Sequence, residues 1–327
     1  MKLILDRSHR HYHVSQDNSW DFEEEILSDP RLHPLGLTAS RLSWGVYYSL
    51  RLLEKVSRSP DLILHSNLAL RSPVKINDDL FCCLIGLSLG KAMPLVFSSG
   101  RKCIYLLDAW PSIHEPLIEM IRNWRIDFVF TANSQSVERL RKSGHDCQVI
   151  WVPEGVKPQT YYFRPYENKD IDILEFGRKY DRYHDHIVES LAKAGKVHRF
   201  ERKKGEIIFP TKEEFLDGLA RSRISICFPS SLTHPEWSGG FETLTGRFLQ
   251  CMLSKCLIVG QSPQELTDLF GYNPVVEIDW HNPAGQLLDI LNHFAEYIPL
   301  IEKNYVEARS NHTWKQRWQQ IAGILFP

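Results

Sequence analysis

The residues best suited to chemistry lie between Arg223 and Gly260. Glu242 stands just behind two adjacent glycines, Gly239 and Gly240, and ahead of Thr243, Arg247 and Gln250. A carboxylate there can accept hydrogen bonds from sugar hydroxyls. Paired glycines let backbone N–H groups approach an anion closely, and a guanidinium can neutralise a phosphate. Each residue also has a plainer reading: Glu242 as a capping or helix-dipole residue, Arg247 as a solvated cation or helix-face salt bridge. Upstream, an apolar run from Ile171 to Phe176 ends at Gly177-Arg178-Lys179-Tyr180-Asp181-Arg182.

The first half offers weaker candidates. Three histidines and two arginines crowd the loop Arg7 to His13, behind the apolar run Leu3–Leu5. Arg7 and His9 would face a ligand cleft there, but no carboxylate or cysteine at ligand spacing supports a metal. Asp108 and His114 follow another apolar run, Cys103–Leu107. A helix N-cap aspartate and a buried, hydrogen-bonded histidine are the alternatives.

Positioning these residues requires alternating strands and helices. Ile224–Phe228 reads as a strand stopped by Pro229, Thr243 to Leu253 as a helix, and Cys256–Val259 as the next strand. That is a parallel βαβ unit, whose ligand loops lie at the carboxyl ends of its strands. Leu244, Phe248, Cys251 and Met252 fall on one helical face and read as core. Placed at the helix start, the glycine pair would meet an anion together with the helix dipole, whereas the Glu242 carboxylate would repel a bare phosphate and accept hydrogen bonds from sugar hydroxyls. Elsewhere the pattern predicts helices over Trp44–Leu53, Asp79–Gly90, Pro116–Trp124, Ser134–Ser143 and His184–Ala194. It predicts strands over Asp61–His65, Asp127–Thr131, Gln148–Val152 and Ile171–Phe176, and Pro94–Ser98 is a further short apolar run. Thr211-x-x-Glu214 is a capping box. The alternation breaks at Pro153 to Pro158 and resumes at Ile171, so residues 1–155 form one α/β domain and 156–305 a second, with 306–327 as a closing helix.

Composition narrows the class. A chain of 327 residues that is 43% hydrophobic can bury two cores. Lys+Arg 39 against Asp+Glu 40 gives a net charge of −1, without the basic excess usual for nucleic-acid binding. The seven cysteines are scattered, with no C-x-x-C pair, which suits buried thiols in a reducing compartment rather than disulfides or zinc. The longest apolar stretch, Leu80–Gly90, is too short to cross a bilayer, and no secretory leader precedes Leu3. The expectation is a cytoplasmic protein.

In this order and spacing the motifs resemble the retaining "group 1" nucleotide-sugar glycosyltransferases of the GT-B fold. The resemblance runs from Val152-Pro153-Glu154-Gly155-Val156, similar to that family's P-x-G-V hinge, to the terminal His312-Thr313-Trp314-x-x-Arg317-Trp318. Gly177-Arg178 resembles its phosphate-binding turn, and Phe228-Pro229-Ser230 followed by Glu242-x7-Gln250 resembles its P-S strand end and Glu-x7-Glu motif. It implies two Rossmann-like α/β domains facing each other across a cleft, with the C-terminal helix crossing back to the first domain. It implies that Gly177, Gly239, Gly240, Thr243, Arg182, Arg247 and Gln250 surround the donor nucleotide, with Gln250 at the position that contacts the ribose. Arg178 would stabilise the departing diphosphate and Glu242 bind the donor sugar, while Arg7, His9, Asp108 and His114 would be acceptor-side contacts. Gln250 replaces the second glutamate, Tyr183 stands where the family has a lysine, and Glu236 rivals Glu242 for the first acidic role.

The resemblance implies a metal-independent, retaining glycosyltransferase with a nucleoside-diphosphate sugar as co-substrate and no permanently bound cofactor. The acceptor (glycan, lipid-linked, protein or small molecule) is open. A catalytically degenerate binding protein is the alternative, motivated by Gln250 and Tyr183. An NAD(P) oxidoreductase is disfavoured, since no G-x-G-x-x-G follows an early strand.

Overall fold

The computed structural model describes residues 1–5, 17–57, 62–65, 75–143, 146–177, 179–203 and 205–327. The chain divides into two compact units. One holds Glu23–Pro153 with the start of the chain and Gln320–Pro327; the other holds Glu154–Gln319 with the stretch ending at Phe22.

The first unit is built on a six-stranded sheet, paired in parallel throughout, whose strands are β1 (Lys2–Ile4), β2 (His33–Pro34), β3 (Leu80–Ile85), β4 (Lys102–Leu107), β5 (Phe128–Thr131) and β6 (Gln148–Trp151). Their order is β2-β1-β3-β4-β5-β6. The accompanying helices are α1 (Asp17–Leu27), of which Glu23–Leu27 belongs to this unit, α2 (Leu37–Ser57), α3 (Leu62–His65), α4 (Leu89–Ala92), α5 (His114–Trp124) and α6 (Val137–Leu140). Leu80, Cys82 and Leu84 of β3 share a core with Ile104 and Leu106 of β4 and Leu117 and Ile121 of α5.

Three local expectations are corrected here. Asp79–Gly90 is not a helix; its centre is the strand β3, buried from Leu80 to Leu84. A parallel strand covered on both faces is apolar at every position, so its sequence carries no period-two signature. Leu62–His65 is a helical turn rather than a strand. The apolar run at Pro94–Ser98 belongs to a 3-10 turn, Met93–Phe97. Ser134–Ser143 is not one helix but 3-10 turns on either side of α6.

The second unit holds a five-stranded parallel sheet: β7 (Ile171–Leu174), β8 (His198–Arg199), β9 (Ser222–Cys227), β10 (Leu257–Gly260) and β11 (Val276–Glu277). Its order is β11-β10-β9-β7-β8. The helices are α7 (Asp181–Lys193), α8 (Lys212–Arg221), α9 (Ser230–Thr233), α10 (Pro235–Ser238), α11 (Gly246–Leu253), α12 (Gln264–Phe270), α13 (Pro283–Asn292), α14 (Ile298–Asn311) and α15 (Trp314–Leu325). Strand alternation sorts the apolar residues into two cores, one on each face. Leu174 and Ile258 join Phe248, Met252 and Leu266, whereas Ile173, Ile224, Ile226 and Val259 join Ile187 and Leu287.

Local devices fix these elements. Thr211 accepts the Glu214 N–H and Glu214 accepts the Thr211 N–H, so the expected capping box opens α8. Lys169, from the polar stretch before β7, is buried at 2% exposure. Its ammonium donates to the carbonyls of Ala220, Ser222 and Ser254 at 3.0, 2.8 and 2.9 Å. One side chain thereby ties the approach to β7 to the start of β9 and the end of α11.

Candidate functional site

From β7 the chain of the second unit passes to β8 on one side and then returns to β9, β10 and β11 on the other. Strand order therefore reverses between β7 and β9. In an open parallel sheet the loops leaving the carboxyl ends of two such strands diverge and leave a crevice. The turn Glu175–Gly177 leaves β7 there, and Phe228–Ser231 leaves β9.

Gly177 is in the left-handed region, with φ +70°. Arg247, one residue into α11, lies over this turn. Its guanidinium stands 5.5 Å from the Phe176 ring centroid, and its Nη2 is 3.0 Å from where a Cβ on Gly177 would sit. Glycine is needed there for its backbone conformation and for that approach. Sequence elements 70 residues apart thus bring a cation onto the first turn of the crevice.

Glu242 is half-buried beyond the ends of β9 and β10. Its Oε1 accepts Ser231 Oγ at 3.1 Å and Gln261 Nε2 at 3.4 Å, from residues that follow those two strands. The carboxylate is held in place at the carboxyl edge of the sheet. Its rival Glu236 is exposed on the short helix α10.

The helix start differs from the sequence expectation. α11 begins at Gly246, not Thr243, so Glu242, Gly239 and Gly240 precede it in a loop. Gly239 and Gly240 are exposed with φ +56° and +84°, and the Gly239 N–H donates to Pro235 O, closing α10. They do not form an anion nest with the dipole of α11. Two buried carboxylates explain the shift. Glu265 accepts Thr243 Oγ1 at 2.9 Å and Leu244 N–H at 3.0 Å, which holds these residues out of the helix. Glu154 Oε2 accepts the Gly246 N–H at 2.8 Å, so an internal anion already occupies the amino end of α11. Asn18 also donates to Glu154 Oε2, and accepts the Trp314 indole N–H. Neither carboxylate's role was read from the sequence, although Glu154 belongs to the hinge motif.

Gln250 is buried, with its side chain beside the Tyr161 hydroxyl. Burial raises the Tyr161 phenol well above its ordinary value. Tyr183, at the position of the family's lysine, is fully buried, and burial raises its phenol likewise. Arg182 is exposed, with its guanidinium 5.1 Å from the Trp280 ring centroid. Lys179 pairs with Asp181 at 3.3 Å. Trp280, Tyr180, Tyr183 and Phe228 form an aromatic cluster beyond the strand ends that sequence reading missed, its members lying far apart in the chain.

Beneath the β7 turn, Glu175 Oε1 accepts His184 Nδ1 at 2.6 Å and His198 Nε2 at 2.8 Å. Among the described residues this is a group of potential metal ligands close enough to share an ion. The pairwise hydrogen bonds already satisfy the three converging atoms, and they hold the buried Glu175 carboxyl below its ordinary value against the opposing effect of burial. The cluster braces β7, α7 and β8.

In the first unit Asp108 follows β4 in the left-handed region, φ 54°. His114 is buried, its Nε2 3.0 Å from Ala109 O and 3.1 Å from Ser136 Oγ. Ser136 Oγ donates to the same Ala109 oxygen. His114 Nε2 therefore carries its proton, and burial lowers the ring's pKa. This is the buried, hydrogen-bonded histidine rather than an open acceptor contact. Arg7, His9 and Arg178 lie outside the described residues.

No protein-family profile matches the sequence, and no curated protein matches it. Solved structures do. A glycosyltransferase from Rickettsia africae ESF-5 superposes with TM-score 0.56 at 11% identity, covering 99% of this chain and 96% of that one. HepE of Anabaena in complex with UDP-glucose gives TM-score 0.53 at 11% identity, covering 76% and 78%. TarM, known from S. aureus, gives 0.54 at 12% identity over 80% of this chain, which spans only 57% of TarM. The chain has the GT-B fold of these glycosyltransferases.

Proposed function

We propose that this chain transfers a sugar from a nucleoside-diphosphate sugar to an acceptor, with a uridine diphosphate sugar as the first donor to test. One arrangement carries the reading. Where strand order reverses in the second unit, Arg247 covers the Gly177 turn while Glu242 is held beyond β9 and β10. A diphosphate against Arg247 and Gly177 would have its growing negative charge stabilised as the sugar departs. Glu242 would accept hydrogen bonds from the sugar's hydroxyls. Trp280 and Arg182 would flank the nucleoside. The guanidinium charge takes the part that a divalent ion plays in other transferases, so the reaction is proposed to be metal-independent. Same-face attack, with retention, requires no protein nucleophile. HepE was crystallised with UDP-glucose, and its shared fold supports the choice of donor.

A second reading, a degenerate transferase that binds without turnover, draws on Gln250. Its amide is buried beside Tyr161 and lacks the charge of the family's second glutamate.

The test is thermal unfolding against UDP, GDP, ADP, CMP, TDP and NAD, with EDTA present, followed by donor hydrolysis or transfer. A ligand that binds only the folded chain raises the melting temperature. The expected result is a shift with one nucleoside diphosphate, slow hydrolysis of its sugar, and loss of the sugar's added affinity in Glu242→Ala. Binding without turnover supports the degenerate reading. No shift at millimolar nucleotide overturns the transferase and favours a degenerate binder of a glycan or protein, and a shift with NAD alone overturns both.

A further inference from the structure

Six large apolar residues that the first unit leaves in solvent belong to one helix, α2: Leu37, Leu42, Tyr48, Leu52, Leu53 and Val56. The opposite face of α2 is spoken for, since Ala39, Val46, Tyr47 and Leu50 pack against the first core. The exposed positions share the half of the helix turned away from that core, an apolar ridge interrupted by Arg41, Gly45 and Ser49. Val56 and Leu37 are each 74% exposed and Leu52 63%, so the ridge is uncovered along its whole length. Scattered surface leucines need no explanation; a ridge of them at helical spacing does.

Charge identifies what would cover it. Arg51 and Lys55 lie along one border of this face and Arg41 lies among its apolar residues, while Glu54 is the helix's only acidic residue. Glu54 turns away from the ridge, accepting the Ile63 N–H at 3.0 Å and Arg51 at 2.8 Å. Arg41 and Lys55 remain exposed. Trp44, Tyr47 and Tyr48 cluster beside them, with Trp44 and Tyr48 stacked at 5.5 Å. No helix among the described residues is long and apolar enough to cross a membrane. A helix with an aliphatic ridge, an aromatic shoulder and a cationic border instead suits the boundary of an anionic bilayer. Leucine and valine enter the acyl region there while the cations stay among phosphates.

We propose that the outer face of α2 docks on an anionic lipid surface, with the helix lying in the plane of the interface. The proposal does not depend on the nucleotide-sugar reading. Cosedimentation of the full chain with phosphatidylcholine vesicles, with and without phosphatidylglycerol, tests it. Pelleting is expected to require phosphatidylglycerol and to weaken with added salt. The pair Leu52→Glu and Val56→Glu should lower vesicle affinity at least about tenfold. Arg41→Gln and Lys55→Gln should each lower it about fivefold. All four positions are exposed, and an unchanged circular dichroism spectrum would verify the fold. Absence of phosphatidylglycerol-dependent pelleting, or equal pelleting by the glutamate pair, overturns the proposal. So does a dimer in sedimentation velocity that the glutamate pair dissociates while vesicles leave the chain in solution, because a second copy would then be the occupant.

Discussion

The carboxylate of Glu154 accepts the backbone N–H of Gly246 at 2.8 Å, although the two residues stand 92 apart in sequence. This bond places the start of α11. The amino end of a helix attracts anions, and here the chain supplies its own. Arg247, the next residue, is thereby set over the Gly177 turn. A structural carboxylate on one residue thus positions the cation proposed to meet the donor on its neighbour.

Removing that carboxylate should be costly. Glu154→Ala leaves the Gly246 N–H and the Asn18 amide without their shared acceptor in a buried site. The expected loss is about 1–3 kcal/mol of stability, read as a lower urea midpoint with an unchanged slope. Glu154→Gln keeps an oxygen in place and should lose less. Equal midpoints for wild type and Glu154→Ala would remove the capping account.

Arg247 is the sharper functional probe. Arg247→Met keeps an apolar stem against Phe176 but removes the charge, and should weaken nucleoside-diphosphate binding by about 1.5–3 kcal/mol, roughly ten- to more than a hundredfold. Arg247→Lys should recover part of this loss, since a lysine brings charge without the planar fork. Calorimetric titration of the three proteins separates the outcomes. Identical affinities would mean that the guanidinium only packs on the Phe176 ring.

Much of this arrangement was legible in the sequence, and its failures share a cause. Strands β4, β5, β6, β7, β9 and β10 were visible as apolar runs between turn residues, and Thr211 with Glu214 announced α8. β3 was read as a helix because a strand covered on both faces looks like any other apolar run. The start of α11 was misplaced because Thr243 and Leu244 have unremarkable helical character, and what excludes them is Glu265, 21 residues beyond Leu244. Local sequence registers propensity and spacing, but not which distant carboxylate will claim a backbone N–H. Gln250 illustrates the same limit. Its spacing from Glu242 is that of the family's motif, while its environment, set by Tyr161, turns it inward.

His312 makes stability depend on pH. Burial and the adjacent Arg317 guanidinium lower its pKa from 6.5 to about 4, and Arg317 Nη2 lies 2.8 Å from His312 Nδ1. An arginine can only donate, so the ring nitrogen accepts and His312 is neutral in the folded chain. Between these two pKa values the unfolded chain holds the extra proton, so stability rises with pH in that window. The contribution is complete above pH 6.5 and is lost as pH falls toward 4, at about 1.4 kcal/mol per pH unit. Urea midpoints across this range should fall for wild type and flatten in His312→Gln.

Lys169 should prove a structural cation rather than a ligand contact. Its ammonium has three carbonyl partners, from Ala220, Ser222 and Ser254, and the residue is 2% exposed. Burial lowers its pKa, so the charge is retained at the cost of some proton affinity. Lys169→Met fills similar space but takes the charged donor from three carbonyls where β7, β9 and α11 meet, of which Ala220 O keeps the Arg164 N–H. A loss of about 3 kcal/mol or more is expected, because several acceptors lose that donor at once. Arginine should not rescue, since its planar fork cannot converge on three oxygens as an ammonium does. Nucleotide affinity, measured where both proteins remain folded, should stay within about twofold of wild type, since surface and core changes away from a ligand add independently. A Lys169→Met protein that unfolds like wild type but binds nucleotide poorly would instead place Lys169 in the donor site.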